Sequence, residues 1–367
     1  MCGEPVDGMH LKELRVKDLR LLRDVSVELS DGWNAFIGAN GAGKTSLLEA
    51  VFALSHGHSF RRGVRDTLSS LGSEGFSIFG VLARADGREH RLGLARRAGK
   101  LESRVDGESS GIAGLVQTCA VACFEPGSHE LISGPADERR RFLDWGVFHV
   151  EHEFLTLWRR YQRALRQRNS TLRDGDGGVL EPWEIEMAES GDRLAGMRRE
   201  YLQRLRSQLE PVLAEFLGEL GGFDLNLQQG WPESMGLAEA LFDGRPRDRE
   251  RGFTGRGPHR ADWSVSFERA PRREHLSRGQ EKLCALALVL AQASLYAEVG
   301  GDRAILCLDD LASELDLNHQ EQVIRLARAQ GGQVLLTGTE LPAALVGSDR
   351  PLRKFHVEQG SIRPWLL

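Results

Sequence analysis

The stretch "NAFIGANGAGKTSLLEAVFALS" limits what this chain can fold into more than any other part of it. A short apolar run, 34–37, enters "GANGAGKT", which fits G-x-x-x-x-G-K-[ST], and a helical pattern follows from Thr45. Gly38 and Gly43 permit a tight backbone path, and Gly41 adds freedom between them. Strand, glycine loop and helix start together make a cradle whose backbone N–H groups and helix dipole attract phosphates. The residues expected to hold a nucleotide, ATP, are Gly38, Asn40, Gly41, Gly43, Lys44, Thr45 and Ser46. Lys44 is expected to reach the β- and γ-phosphates, and the Thr45 hydroxyl to ligate Mg²⁺. This places the chain in the α/β class.

Near the other end, "AILCLDDLASELD" is an apolar strand ending in two aspartates. A buried strand that carries an acid to its C-terminal edge can set Asp309 opposite Thr45 on the same Mg²⁺. Asp310 then faces the γ-phosphate, where it can orient or deprotonate an attacking water. Lys44, Asp309 and Asp310 are therefore the candidate catalytic residues. Shortly before them, "HLSRGQEKL" opens an apolar helix on Ser-x-Gly-Gln. Ser277 reads as an ordinary N-cap. With Gly279 and Gln280 it also reads as an anion site: a hydroxyl, a close-approaching backbone and the positive end of a helix. A chain that already holds phosphates at Lys44 needs no second anion site in that pocket. The three residues are thus expected to meet the γ-phosphate bound by a second copy, in an ATP-dependent two-fold homodimer.

These motifs resemble the ATP-binding-cassette heads of the SMC and RecF-like group of ATPases, and "SELD", with Asp316, resembles the loop that links two such sites across a dimer. "HGHSFRR", "FEPGSHELISGPADERRRFLDWGVFH" and "GRGPHRAD" are further similar to motifs of the RecF family of bacterial recombination mediators, spread in order over nearly the whole chain. The resemblance implies an ABC-type P-loop ATPase head with a mostly helical arm inserted between the phosphate loop and the Ser-x-Gly-Gln signature. It implies sequence-independent binding to duplex DNA and single-strand gap junctions. It implies weak DNA-dependent ATP hydrolysis, work alongside RecR and RecO to help RecA load, and a cytoplasmic, nucleoid-associated place in DNA repair, replication and the SOS response.

Because Lys44 and Asp309 lie near opposite ends of the chain, a large segment separates them. From about 146 to 255 the pattern is helical, with Phe154, Leu157, Tyr161 and Leu165 on one face before "DGDGGVLEP" breaks it. Two long antiparallel helices are predicted, dividing the chain into head segments 9–145 and 256–367 around an arm, 146–255. Arg159, Arg160, Arg163, Arg166 and Arg168 stand in a run without acids. They read as a solvated surface or as contacts to DNA phosphates. Of Arg139, Arg140 and Arg141, at least one is expected to serve structure, because Phe142, Leu143 and Trp145 beside them look like core.

The net charge of −5 makes no global electrostatic case for nucleic acid, so any DNA contact must be local. With 41% apolar and 28% charged residues, the 367-residue composition is that of a globular protein. The longest apolar run, which ends at Ala291, falls short of the roughly 20 residues that span a bilayer, so no membrane segment is expected. The opening "MCGEPVDGMH" lacks the features of a secretion signal, and patterned sequence begins just after Met9, a candidate start. Cysteines 2, 119, 123, 284 and 307 form no CxxC and are expected as free thiols.

Some positions transfer poorly from related ATPases. Gln117 is the nearest candidate for their Mg²⁺-sensing glutamine, at an awkward distance from "FEPG". Thr339 or Glu340 stands where a Thr-Thr-Asp switch is usual. His259 and His275 are expected to be structural or substrate-contacting rather than metal ligands. Two other functions share the motifs. An energy-coupling subunit of a membrane transporter is disfavoured by the helical insertion. A nucleotide-gated scaffold with little turnover is raised by Asp310, where transporter ATPases carry glutamate.

Overall fold

The fold was analysed in a computed structural model, which describes residues 8–61, 68–174, 179–346 and 350–365. Cys2, Arg62 of "HGHSFRR" and part of "DGDGG" lie outside the described residues. Contacts divide the chain into two units, Met1–Ser128 with Ala285–Leu367, and His129–Cys284.

The first unit begins with β1 (His10–Leu19) and β2 (Leu22–Glu28), an antiparallel hairpin that closes on Leu19 opposite Leu22. Then come β3 (Trp33–Ile37), α1 (Lys44–His56), β4 (Phe76–Ala83), β5 (Glu89–Arg97), β6 (Lys100–Val105), β7 (Glu108–Ser109), α2 (Gly111–Thr118) and β8 (Val121–Phe124). Alternating apolar residues in β1 and β4 suit the antiparallel sheet they join, ordered β2-β1-β4-β5-β6-β7.

The second unit follows with α3 (Glu130–Ser133), α4 (Ala136–Val150), α5 (Phe154–Arg173), α6 (Glu181–Leu217), β9 (Phe223–Gln228), α7 (Leu237–Arg251) and β10 (Asp262–Phe267). Ion pairs of Glu153 with Arg193, Arg160 with Glu186 and Arg168 with Glu184 run in opposite senses along α5 and α6, so the two helices are antiparallel. Phe154, Leu157, Tyr161 and Leu165 are all buried, as their spacing predicts. The unit reaches beyond 146–255 because α4 and the β9–β10 ribbon pack into it. Arg139, buried, grips Asp262 at 2.6 and 2.9 Å, and Trp263 Nε1 donates to the Arg139 carbonyl at 2.7 Å.

The helix α8 (Arg278–Gly300) leads from the second unit back into the first, which ends with β11 (Ile305–Leu308), α9 (Leu311–Glu314), α10 (Leu317–Gln330), β12 (Val334–Gly338), β13 (Leu352–Glu358) and β14 (Ser361–Pro364). By length and composition α8 could cross a membrane, contrary to the short-run expectation. Yet 72% of its apolar window is buried inside the protein, which makes it a core helix.

These strands build the second sheet, ordered β14-β13-β3-β12-β11-β8, in which β13, β3, β12, β11 and β8 run parallel. Strands buried on both faces carry unbroken apolar runs, and "ILCL" is buried at all four positions. The order sets β12 between β3 and β11, so the loop after β3 and the ends of β11 and β12 share one carboxyl edge, where open parallel sheets bind ligands. Cys119, Cys284 and Cys307 are buried free thiols, and Cys123 is half-buried.

Candidate active site

The loop after β3 turns tightly against its surroundings. A Cβ at Gly38 would lie 2.1 Å from the Val357 carbonyl oxygen, and Gly43 has φ 111°. Only glycine tolerates both positions. Gly43 leaves the start of α1 without any capping side chain. That start borders a pocket of about 290 Å³ lined by Asn40, Gly41, Gly43, Lys44, Thr45, Ser46, Arg61, Leu21 and Asp310. A larger open hollow of about 820 Å³ lies along β1 and Pro351 and holds none of these residues. Its Lys12, Arg15 and Arg353 already face Glu89, Glu13 and Glu28, so the chemistry lies in the smaller pocket.

Lys44 Nζ donates to the carbonyls of Gly38 and Ala39 at 2.8 and 2.9 Å. Burial lowers its pKa, while Asp310 and Asp309 pull it back up. Thr45 Oγ1 lies 3.0 Å from Asp309 Oδ1, so two residues from opposite ends of the chain meet. Asp309 is 1% exposed, and burial raises its pKa against the bonds from Thr337 and Thr45. Asp310 follows in a left-handed conformation, φ 51° and ψ 42°, with its Oδ1 buried and unbonded. A hydroxyl, a carboxylate and an unsatisfied acid oxygen around one cradle are hard oxygen donors of the kind that suit Mg²⁺.

Three further residues stand near this pocket, Arg61 within "HGHSFRR", Glu125 within "FEPG", and Thr337, none of which the sequence marks out as part of the site. Arg61, just after α1, lines it, and its charge stabilises the carboxylates of Asp309 and Glu125. Glu125 follows β8 as Asp309 follows β11, because the two strands pair Phe124 with Leu308. Burial pushes its pKa up to about 7, helped by Asp309, while the Gly127 N–H and Arg61 oppose. Gln117 lies exposed on α2, before β8, so the residue on the edge next to Asp309 is Glu125. Thr339 and Glu340 are exposed, and the buried hydroxyl at this edge belongs to Thr337. Thr337 was hidden because an apolar strand carried it.

The remaining candidates sit as follows. Ser277 Oγ accepts from the Gln280 N–H at 3.3 Å and Gln280 Oε1 from the Ser277 N–H at 3.0 Å, a reciprocal cap at the start of α8. Ser277 and Gly279 are exposed, and a Cβ at Gly279 would meet nothing closer than Ser277 Oγ at 4.0 Å. Asp316 caps α10, bonding the His319 N–H at 3.0 Å and its Nδ1 at 2.7 Å. Arg159, Arg163 and Arg166 are exposed on α5, and Arg160 is paired with Glu186 and Glu189. Arg168 does not share that surface. It is 0% exposed and held by Glu184 and Asp248. His259 Nε2 faces the Thr254 carbonyl, so its Nδ1 accepts from the Tyr161 hydroxyl at 2.6 Å. That bonding makes His259 structural. His275 is exposed.

The family model described as RecF/RecN/SMC N terminal domain matches residues 10–362. The DNA replication and repair protein RecF of Xanthomonas euvesicatoria pv. vesicatoria (strain 85-10) is 45% identical over 361 residues, covering 96% of this chain and 98% of the relative. The chain belongs to the RecF family. The RecF of Stutzerimonas stutzeri (strain A1501) is 38% identical over 360 residues, covering 96% and 97%. A solved structure of the recombination mediator protein RecF-ATP in the RecFOR pathway has a TM-score of 0.88 at 26% identity, covering 98% of this chain and 99% of that one. The SmcHead bound to the C-winged helix domain of ScpA has a TM-score of 0.57 at 14% identity over 98% and 97%, a likeness of fold. RecF proteins and this chain thus share the SMC-like ATPase head.

Proposed function

We propose that this RecF-family chain is an ATP-dependent DNA-binding protein of recombinational repair and replication restart. Two copies close on ATP, clamp duplex DNA at a single-strand gap and, with RecR and RecO, assist RecA loading. Slow hydrolysis to ADP and phosphate resets the clamp. The observation that carries this reading is the 3.0 Å contact of Thr45 with Asp309 beside an uncapped α1 start. The ATP-bound RecF structure of the same fold supports the nucleotide.

Thr45 and Asp309 would hold Mg²⁺, whose charge offsets that of the phosphates. The described residues contain no cluster of three or more His, Cys, Asp or Glu side chains set to hold a metal ion. The remaining ligands would be phosphate oxygens and water, as Mg²⁺ prefers. Lys44 leaves its two carbonyls for the β- and γ-phosphates. Asp310, with its free buried oxygen, orients the water that attacks phosphorus and takes its proton as ADP leaves. The open space at Gly279 supports a role for Ser277, Gly279 and Gln280 towards the partner's γ-phosphate, since nothing in their own surroundings requires a glycine. Asp316 would link the two sites, and Arg159, Arg160, Arg163 and Arg166 would meet DNA phosphates without reading sequence.

The test is binding to a fluorescent gapped duplex with and without ATP-Mg²⁺ at fixed salt, because phosphate contacts make DNA affinity salt-dependent. ATP should raise affinity and bring two copies to each DNA. An affinity indifferent to ATP sinks the clamp.

A further inference from the structure

At the carboxyl edge of the parallel sheet, one side chain touches both acids of the site. Thr337 lies on β12, 2% exposed, between the strands that carry the phosphate loop and the aspartates. Its Oγ1 is 2.6 Å from Asp309 Oδ1 and accepts the Asp310 N–H at 2.9 Å. A carboxylate oxygen can only accept, so the Thr337 hydroxyl donates its one proton to Asp309. Asp309 Oδ1 therefore takes bonds from Thr337 and Thr45 together. The next residue of β12, Gly338, accepts the Gly38 N–H at 3.2 Å, so the same strand end also touches the phosphate loop.

We propose that Thr337 is the positioning residue of this nucleotide site, orienting the Asp309 carboxylate towards Mg²⁺ and holding Asp310 in the left-handed backbone that aims its side chain. This rests on the nucleotide reading above and extends it to a residue outside the phosphate-loop and Asp-Asp motifs. The two bonds have separate consequences. Asp309 is buried, and without Thr337 its carboxylate would keep the Thr45 bond but lose the second one that fixes its rotation about χ2. Asp310 is a non-glycine residue at φ 51°, a conformation that needs outside support, and among the described residues its N–H donates to this hydroxyl. Valine in place of Thr337 would keep the shape of the strand and remove both bonds.

The experiment titrates a fluorescent ATP analogue in EDTA and in Mg²⁺, for wild type, Thr337→Val and Thr337→Ser. Wild type should bind more tightly with Mg²⁺. Thr337→Val should bind like wild type in EDTA, because the phosphate loop is intact, and lose about tenfold of the Mg²⁺-dependent gain. Thr337→Ser, which keeps the hydroxyl, should restore that gain. Turnover should follow the same order, falling in kcat more than in KM. If Thr337→Val does not fold, Thr337→Ala against Thr337→Ser makes the same comparison. A Thr337→Val protein with the full Mg²⁺ gain overturns the inference. So does an equal loss in EDTA and in Mg²⁺, which would make Thr337 a packing residue. A wild type that binds the analogue equally with and without Mg²⁺ also overturns the inference but leaves the nucleotide reading, whereas a wild type that binds no analogue in either condition removes both.

Discussion

Two helix starts in this protein carry residues expected to meet phosphate, and they are built in opposite ways. At α1, Gly43 brings no capping side chain, Lys44 is buried, and the first N–H groups border the pocket. At α8, Ser277 and Gln280 cap each other, Gln280 Nε2 reaches Glu219 at 3.1 Å, and Ser277 and Gly279 face solvent. A helix start left without a cap is costly unless something else satisfies its donors. The α1 start is therefore built for a ligand of its own chain. The α8 start is satisfied without one, and an anion must come to it from outside and compete with its cap. Under the proposed function, that difference separates a site that binds nucleotide in a monomer from one that acts only in a dimer.

The largest effect should come from Lys44→Ala, which removes the charged donor of the α1 site. Affinity for a fluorescent ATP analogue should fall about 100-fold. An affinity within about threefold of wild type would remove α1 from the comparison. Next comes Ser277→Arg, whose bulk fills the approach to α8. It should bind ATP within about threefold of wild type yet stay monomeric by light scattering when ATP-Mg²⁺ is added. Loss of ATP binding in that monomer would place Ser277 in its own chain's pocket. Gly279→Ala is the gentler form of the same test. Open space around the new methyl should leave stability unchanged or raised by up to about 1 kcal/mol of helix propensity, read by urea unfolding, while ATP-driven dimerisation weakens about tenfold. Dimerisation at wild-type strength would mean that nothing approaches this glycine closely.

The smallest effect is electrostatic and belongs to the α1 side alone. Burial holds the Glu125 pKa up at about 7, from an ordinary value of 4.5. The folded state therefore binds this proton more tightly than the unfolded one. Its contribution is fully present below the ordinary value and is lost as pH rises through about 7. Urea unfolding across that range should show stability falling with pH by less than about 1.4 kcal/mol per unit, the one-proton limit. Glu125→Gln should remove that component of the slope. An unchanged slope would mean that Glu125 is ionised in the native protein throughout.

The phosphate loop was legible because its chemistry is contiguous. Gly38, Gly43, Lys44 and Thr45 need only their own backbone to form a cradle, and the Asp309–Asp310 pair announces itself at the end of an apolar strand. The arginines of α5 were not legible, since burial depends on partners far away in the chain. Arg166 and Arg168 look alike in sequence, yet only Arg168 meets Glu184 from α6 and Asp248 from α7. The acid beside Asp309 was not legible for a related reason. Gln117 has the expected side chain but precedes β8, whereas parallel pairing of β8 with β11 brings Glu125 to the edge beside Asp309.

By itself the sequence determined that the chain carries a P-loop α/β head with a glycine-lined loop ahead of a helix start, and that long helices are inserted into it. Local backbone geometry and hydrophobic periodicity decide those features, and both are written within a few residues of each other. Only the tertiary structure decided that Thr337 binds both aspartates, that Arg61 and Glu125 share their charge environment, and that Arg168 is core. Each of these depends on strand order or helix packing between distant segments, and a burial or a hydrogen bond exists only once those segments are side by side.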